Sequence, residues 1–153
     1  MNTPRLTPQQ ALQKIRHYCA YQERCHSEVK SRLFEYGLNN TECEEIIMSL
    51  IADNYLNEER FAIQFAGGHF RNKKWGRNKI KYALRIKKVS DYCIRKAMLE
   101  IEDTAYMETL EALYAAKKES LKSVKPPALR QKKIQDYLLQ KGYEPEYIRR
   151  LLD

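Results

Sequence analysis

Val29-Lys30-Ser31-Arg32-Leu33-Phe34-Glu35-Tyr36-Gly37-Leu38 reads as an amphipathic helix with its stop attached. Val29 and Leu33 share a face four residues apart, Gly37 supplies the residue that accepts a left-handed helix terminus, and Leu38 turns back inward. The same text recurs twice. With Gly37, Lys88 and Gly142 taken as equivalent, Val29, Ile80 and Ile134 fall eight residues before, and Leu33, Leu84 and Leu138 four before. Leu38, Val89 and Tyr143 fall one after, Cys43, Ile94 and Ile148 six after, and Ile47, Met98 and Leu152 ten after. The copies are offset by 51 and 54 residues, a spacing that marks an internal repeat.

Outward from each copy the pattern stays helical. Ser27 is the expected cap of the quoted helix, and Asn40 opens the next, with Cys43, Ile46, Ile47 and Leu50 inward. A leading helix precedes each pair, at 7–22, 57–72 and 104–122. Thr7-Pro8-Gln9-Gln10 starts the first as a cap, a proline at the first helical position and a glutamine three past the cap; Asn57 and Thr104 are the expected caps of the others. Lys125-Pro126-Pro127 breaks the chain before the last pair. The expectation is an all-α protein of three tandem three-helix repeats, at 1–56, 57–103 and 104–153. Each is too small to bury its own apolar face well, so the repeats should dock end to end into an elongated array, with curvature left open.

Composition permits this and excludes other classes. Of 153 residues 43% are hydrophobic, while five Gly and five Pro are too few for a collagen-like or low-complexity chain. Met1 to Leu12 lacks the apolar run of a signal peptide, and no later stretch approaches a membrane span, so a soluble, cytoplasmic protein is expected, with Cys19, Cys25, Cys43 and Cys93 as reduced thiols.

Charge is concentrated in the middle. Residues 1–59 carry 6 basic and 9 acidic side chains, residues 60–90 carry 10 and none, and residues 91–153 carry 12 and 11. Within the acid-free stretch Arg71, Lys73, Lys74, Arg77, Lys79, Lys81, Arg85, Lys87 and Lys88 surround the single Trp75. Lysine and arginine neutralise phosphates and an aromatic ring stacks on a base, so these residues are the candidate binding surface. The structural alternative makes Ile80, Ala83, Leu84 and Ile86 a buried face, the basic residues its solvated side, and Trp75 a plug between two helices. Arg130, Lys132 and Lys133, with Lys117, Lys118 and Lys122 before the prolines, form a secondary candidate interrupted by Glu119.

Chemistry finds little purchase. Glu58 and Glu59 sit in a first helical turn, where the helix dipole favours negative charge, so they read as capping rather than acid–base catalysis. Phe61 and Phe65 read as core, and Arg60 as a bridge between repeats. Gly67-Gly68 reads as a site of close helix packing or a bend. His17, Cys19, Cys25, His26 and Cys43 lack zinc-ligand spacing, and no phosphate loop or hydrolase motif is present. No catalytic residue, metal or cofactor is expected.

Tyr55-Leu56-Asn57-Glu58-Glu59-Arg60-Phe61-Ala62, followed by Trp75-Gly76-Arg77-Asn78-Lys79-Ile80 and Leu84, resembles the signature of the RecX family of recombination regulators. Ser27 to Gly37 and Tyr137 to Ile148 resemble its first and third units, with Lys88 standing where the family has a helix-ending glycine. The resemblance implies a non-enzymatic, monomeric regulator of recombination and DNA repair. It would bind RecA-type recombinase filaments on single-stranded DNA, with double-stranded DNA a further candidate, and limit their growth and activity. Two readings without a recombinase remain: an autonomous helical DNA-binding module, and a helical protein-interaction scaffold. Whether the basic residues meet DNA phosphates or acidic recombinase side chains stays open.

Overall fold

The computed structural model describes residues 5–153; residues 1–4, the start of the first expected repeat, lie outside the described residues. The described chain forms α1 (Pro8–Tyr21), α2 (His26–Glu35), α3 (Asn40–Ala52), α4 (Glu58–Lys73), α5 (Arg77–Ile86), α6 (Asp91–Leu99), α7 (Asp103–Ser120), α8 (Pro127–Lys141) and α9 (Pro145–Leu152), with no strand among the described residues.

The repeat is visible residue by residue. Val29, Ile80 and Ile134, Leu33, Leu84 and Leu138, Leu38, Val89 and Tyr143, and Cys43, Ile94 and Ile148 are all buried. Ile47, Met98 and Leu152 are half-buried in all three copies. A fully buried leucine or isoleucine contributes about 1.5–3 kcal/mol, so these equivalent positions dominate the stability of each helix pair. The helix stops agree too: Gly37, Lys88 and Gly142 adopt φ of 89°, 63° and 102°. Lysine thus takes up the left-handed turn that glycine makes in the other copies, and the turn shape is kept.

Helix starts explain the local boundaries. Gln10 donates its backbone N–H to Thr7 Oγ1 (3.2 Å) and accepts from the Thr7 N–H (3.0 Å), closing the expected box at α1. Asn39 and Glu42 close another at α3, and Asn57 Oδ1 accepts from the Arg60 N–H at 2.9 Å at α4. Two expected caps are displaced. The α2 cap is Cys25 rather than Ser27, because the Glu28 carboxylate reaches back to the Cys25 N–H (3.1 Å) and starts the helix earlier. The α7 cap is Glu102 rather than Thr104, because Asp103 already occupies the first helical position, where a carboxylate suits the dipole.

The chain divides into two compact units: one runs up to Gln64 and includes Leu84–Lys96, the other comprises Phe65–Ala83 and Ala97–Asp153. In the first, α1, α2 and α3 pack on one another around Ile15, Val29, Leu33, Cys43 and Leu50. In the second, α8 packs against both α7 and α9, burying Leu110, Ile134, Leu138 and Ile148. Among the described residues no helix is long and apolar enough to cross a membrane.

Candidate nucleic-acid interface

In the second unit the short connection between α4 and α5 seats against the turn between α8 and α9. The Gly76 N–H donates to the Lys141 carbonyl (2.7 Å), and the Asn78 N–H to the Gly142 carbonyl (2.9 Å). The Tyr143 hydroxyl donates to the Lys74 carbonyl (2.8 Å), and the Lys141 ammonium to the Lys73 carbonyl (3.0 Å). The backbones approach so closely that a Cβ at Gly76 would collide with the Gly142 carbonyl.

Arg77 locks this joint. Its guanidinium pairs with Asp103 (2.6 Å) and Glu144 (3.1 Å), its side chain is only 15% exposed, and it lies 3.9 Å from the Tyr106 ring centre. The Tyr106 hydroxyl accepts from the Arg77 N–H (2.9 Å) and donates to Glu144. Burial opposes the charge on Arg77, but the hydrogen bond and negative charge of Glu144 outweigh it and hold the guanidinium above the usual arginine range. Burial first, and then the bond to Glu144, push the Tyr106 phenol far above the usual tyrosine range. Arg77 was expected on the binding surface; its guanidinium is instead engaged by Asp103 and Glu144 as an internal strut.

The other expected residues stand apart from that network. Lys73 and Lys79 place their ammonium groups 5.5 and 4.6 Å from the centre of the Trp75 ring. Trp75 is half-buried and leans on His69 (4.6 Å between ring centres), which stacks on Phe65 (3.9 Å). Lys74, left-handed at φ 57°, is exposed, and Lys81 is half-buried. Among the described residues no carboxylate lies within ion-pair range of Lys73, Lys74, Lys79 or Lys81. Arg71 folds back over Gly67, while Gly68 faces open space, so of the packing or bend expected here no neighbouring helix is seated on this glycine pair.

In the first unit Arg85 and Lys88 are exposed, and Lys87 pairs with Glu28 (3.8 Å). Ile86 is 62% exposed, which removes it from the expected buried face; Ile80 and Leu84 carry that face, with Ala83 half-buried. A related joint forms here. The Ser27 hydroxyl donates to the Lys87 carbonyl (2.6 Å), His26 Nδ1 lies 3.4 Å from Glu58, and Glu58 accepts from the Ser90 N–H (2.7 Å). The repeat offsets take His26 to Arg77, Ser27 to Asn78, Lys87 to Lys141 and Ser90 to Glu144. Each compact unit therefore has a joint at equivalent repeat positions, made with different contacts. Glu58 lies in the first turn of α4 but gives its carboxylate to the Ser90 N–H at the start of α6, and Arg60 ties α4 to Glu23 and Asn54. Phe61 is buried; Phe65 is half-buried and stacks on His69.

The secondary candidates are partly engaged. Arg130 donates to the Lys122 carbonyl (3.1 Å), Lys132 pairs with Asp136 (3.4 Å), and Lys133 is exposed. Lys122 pairs with Glu119 (2.7 Å), and Lys117 lies over Tyr137. Among the described residues no cluster of His, Cys, Asp and Glu is arranged to hold a metal ion.

An all-α chain of tandem three-helix repeats, its middle repeat free of acid from residue 60 to 90, defines a helical-repeat protein with a basic middle segment. The model of the RecX second three-helix domain matches residues 57–98, and that of the RecX third three-helix domain matches residues 104–152. The chain belongs to the RecX family. The regulatory protein RecX of Prosthecochloris aestuarii is 28% identical over 143 residues, covering 94% of this chain and 91% of that protein. That of Lactobacillus johnsonii is 31% identical over 132 residues, covering 83% of this chain and 48% of its own length. The chain thus spans nearly all of the first relative and about half of the second. The crystal structure of RecX from Lactobacillus salivarius has the same fold, with a TM-score of 0.85 at 22% identity over 95% of this chain and 94% of that one.

Proposed function

We propose that this protein binds RecA-type recombinase filaments on single-stranded DNA and limits their growth and their ATPase and strand-exchange activity. It acts without catalysis, as a cytoplasmic monomer of three repeats at 1–56, 57–103 and 104–153. Membership of a family whose relatives are named regulatory proteins supports the regulatory role. The observation that carries the contact is the set Lys73, Lys74, Lys79 and Lys81: four cations on one repeat with no internal counter-charge among the described residues. Uncompensated lysines on a folded surface attract a polyanion, and a nucleoprotein filament is one. Arg85 and Lys88 extend the contact, with Lys133 a secondary point.

The test is to add the protein to a preassembled recombinase filament. Suppression of the DNA-dependent ATPase at substoichiometric amounts is expected. Inhibition only when free DNA is saturated would instead mark an autonomous DNA-binding module, and no inhibition with no DNA binding would mark a protein-interaction scaffold.

A further inference from the structure

Position 82 carries a side chain that the fold does not use. Tyr82 is 65% exposed near the middle of α5, two residues away from both buried Ile80 and buried Leu84, and makes no hydrogen bond within the described residues. Lys79 and Tyr82, three residues apart, lie on one side of α5, and Trp75 sits just before its first turn. The Lys79 ammonium, 4.6 Å from the Trp75 ring centre, already reaches along that side.

We propose that Trp75 and Tyr82, with Lys79 between them, form a base-stacking rail for single-stranded DNA. This rests on the reading that the 71–81 surface meets nucleic acid, and adds that it grips bases as well as phosphates. Three observations carry it. Trp75 is held in place by the Phe65–His69 stack rather than sunk in the aliphatic core, so it is a rigid platform. The lysine heads over it, Lys73 and Lys79, have no carboxylate to hold them and can swing to flanking phosphates while a base takes the ring. The order ring, cation, ring matches a strand whose bases and phosphates alternate, whereas an acidic protein surface would satisfy the lysines and leave both rings unused. A duplex keeps its base faces stacked on one another, so the rail selects single strands.

The chain has one tryptophan, so its fluorescence reports on Trp75 alone. The experiment titrates the full chain with oligo-dT of about 15 nucleotides and with an abasic strand of equal length and charge. The dT strand is expected to bind about tenfold or more tightly than the abasic one and to quench the emission, because its bases can stack on the rings. Tyr82→Ala, at an exposed site, should keep its melting temperature and salt dependence but lose most of that preference. Equal binding of the two strands, or a preference untouched by Tyr82→Ala, overturns the rail while leaving phosphate binding and filament regulation standing. Binding to neither strand overturns the rail and the nucleic-acid reading together, and the recombinase ATPase assay then judges filament regulation by itself.

Discussion

Gly76 and Gly142 meet backbone against backbone, one at the entrance to α5 and the other at the left-handed exit of α8, with Lys79 Cβ filling the remaining space beside Gly142. Neither backbone can retreat, because the hydrogen bonds from Gly76 and Asn78 hold them together from both sides.

Gly76→Ala should therefore destabilise the protein by at least about 1–3 kcal/mol, the usual cost of overpacking a rigid site. The control is Gly68→Ala, which points into open space within α4 and should stabilise by about 0.5–1 kcal/mol through the lost backbone freedom of the unfolded chain. Urea midpoints of the two variants, moving in opposite directions, check the pair. A Gly76→Ala midpoint equal to that of the parent would refute the tight joint.

Lys88 carries a penalty that its counterparts Gly37 and Gly142 avoid. At φ 63° its Cβ crowds the following carbonyl, at a cost of roughly 1–2 kcal/mol. The side chain is exposed and makes no ion pair among the described residues. Lys88→Gly should stabilise the fold by about 1 kcal/mol, the strain relief reduced by the greater freedom of unfolded glycine. Thermal denaturation without DNA reads this directly; a fall in melting temperature would show that the lysine contributes more to this turn than its conformation costs.

The helical repeat was legible because it is written in local signals: apolar residues at helical spacing, turn residues at fixed offsets, and capping pairs three residues apart. The fate of Arg77 was not. Its partners Asp103 and Glu144 are 26 and 67 residues away, so a count of neighbouring charges saw a cation in an acid-free stretch and missed the carboxylates that claim it. Ser27 and Thr104 looked like caps for a similar reason. Both have the right chemistry, but Glu28 and Asp103 beside them bind or complement the helix start first. Tyr82 was overlooked although a signal existed: it lies off the buried Ile80–Leu84 face and seven residues past Trp75.

Alkaline pH should unfold the protein in steps. Burial raises the Cys19 thiol from 9.0 to about 11, and also raises the Tyr106 and Tyr143 phenols well above their ordinary 10.0. Below pH 9 these groups are protonated in both folded and unfolded chains and stability is flat. From pH 9 the unfolded chain releases the Cys19 proton while the folded one retains it, and from pH 10 the same holds for the two tyrosines. Each such group lowers stability by about 1.4 kcal/mol per pH unit until its folded-state pKa is reached. Urea midpoints across pH 8 to 11, as about six points, should fall from near pH 9; because burial also raises the Cys25 and Cys43 thiols, Cys19→Ala should make the fall above pH 9 shallower without moving its onset. A fall as steep in Cys19→Ala as in the parent would show that this thiol is not protected in the fold.

Charge reversal should separate strut from surface. Arg77→Glu sets a carboxylate against Asp103 and Glu144 in a site where the native side chain is 15% exposed, so it should cost several kcal/mol of stability, about 3–5 by analogy with other broken buried pairs. Lys73, Lys74 and Lys79 reversed to Glu together break no ion pair among the described residues, so helix content and melting temperature should hold. The triple variant should nevertheless lose inhibition of the recombinase filament. If those lysines meet phosphates, the slope of log affinity for single-stranded DNA against log salt should shrink by about 2 in magnitude, at roughly 0.7 per lost contact. If they meet acidic recombinase side chains instead, inhibition should vanish while that slope stays unchanged. A folded triple variant with full inhibitory potency would remove this surface from the function altogether.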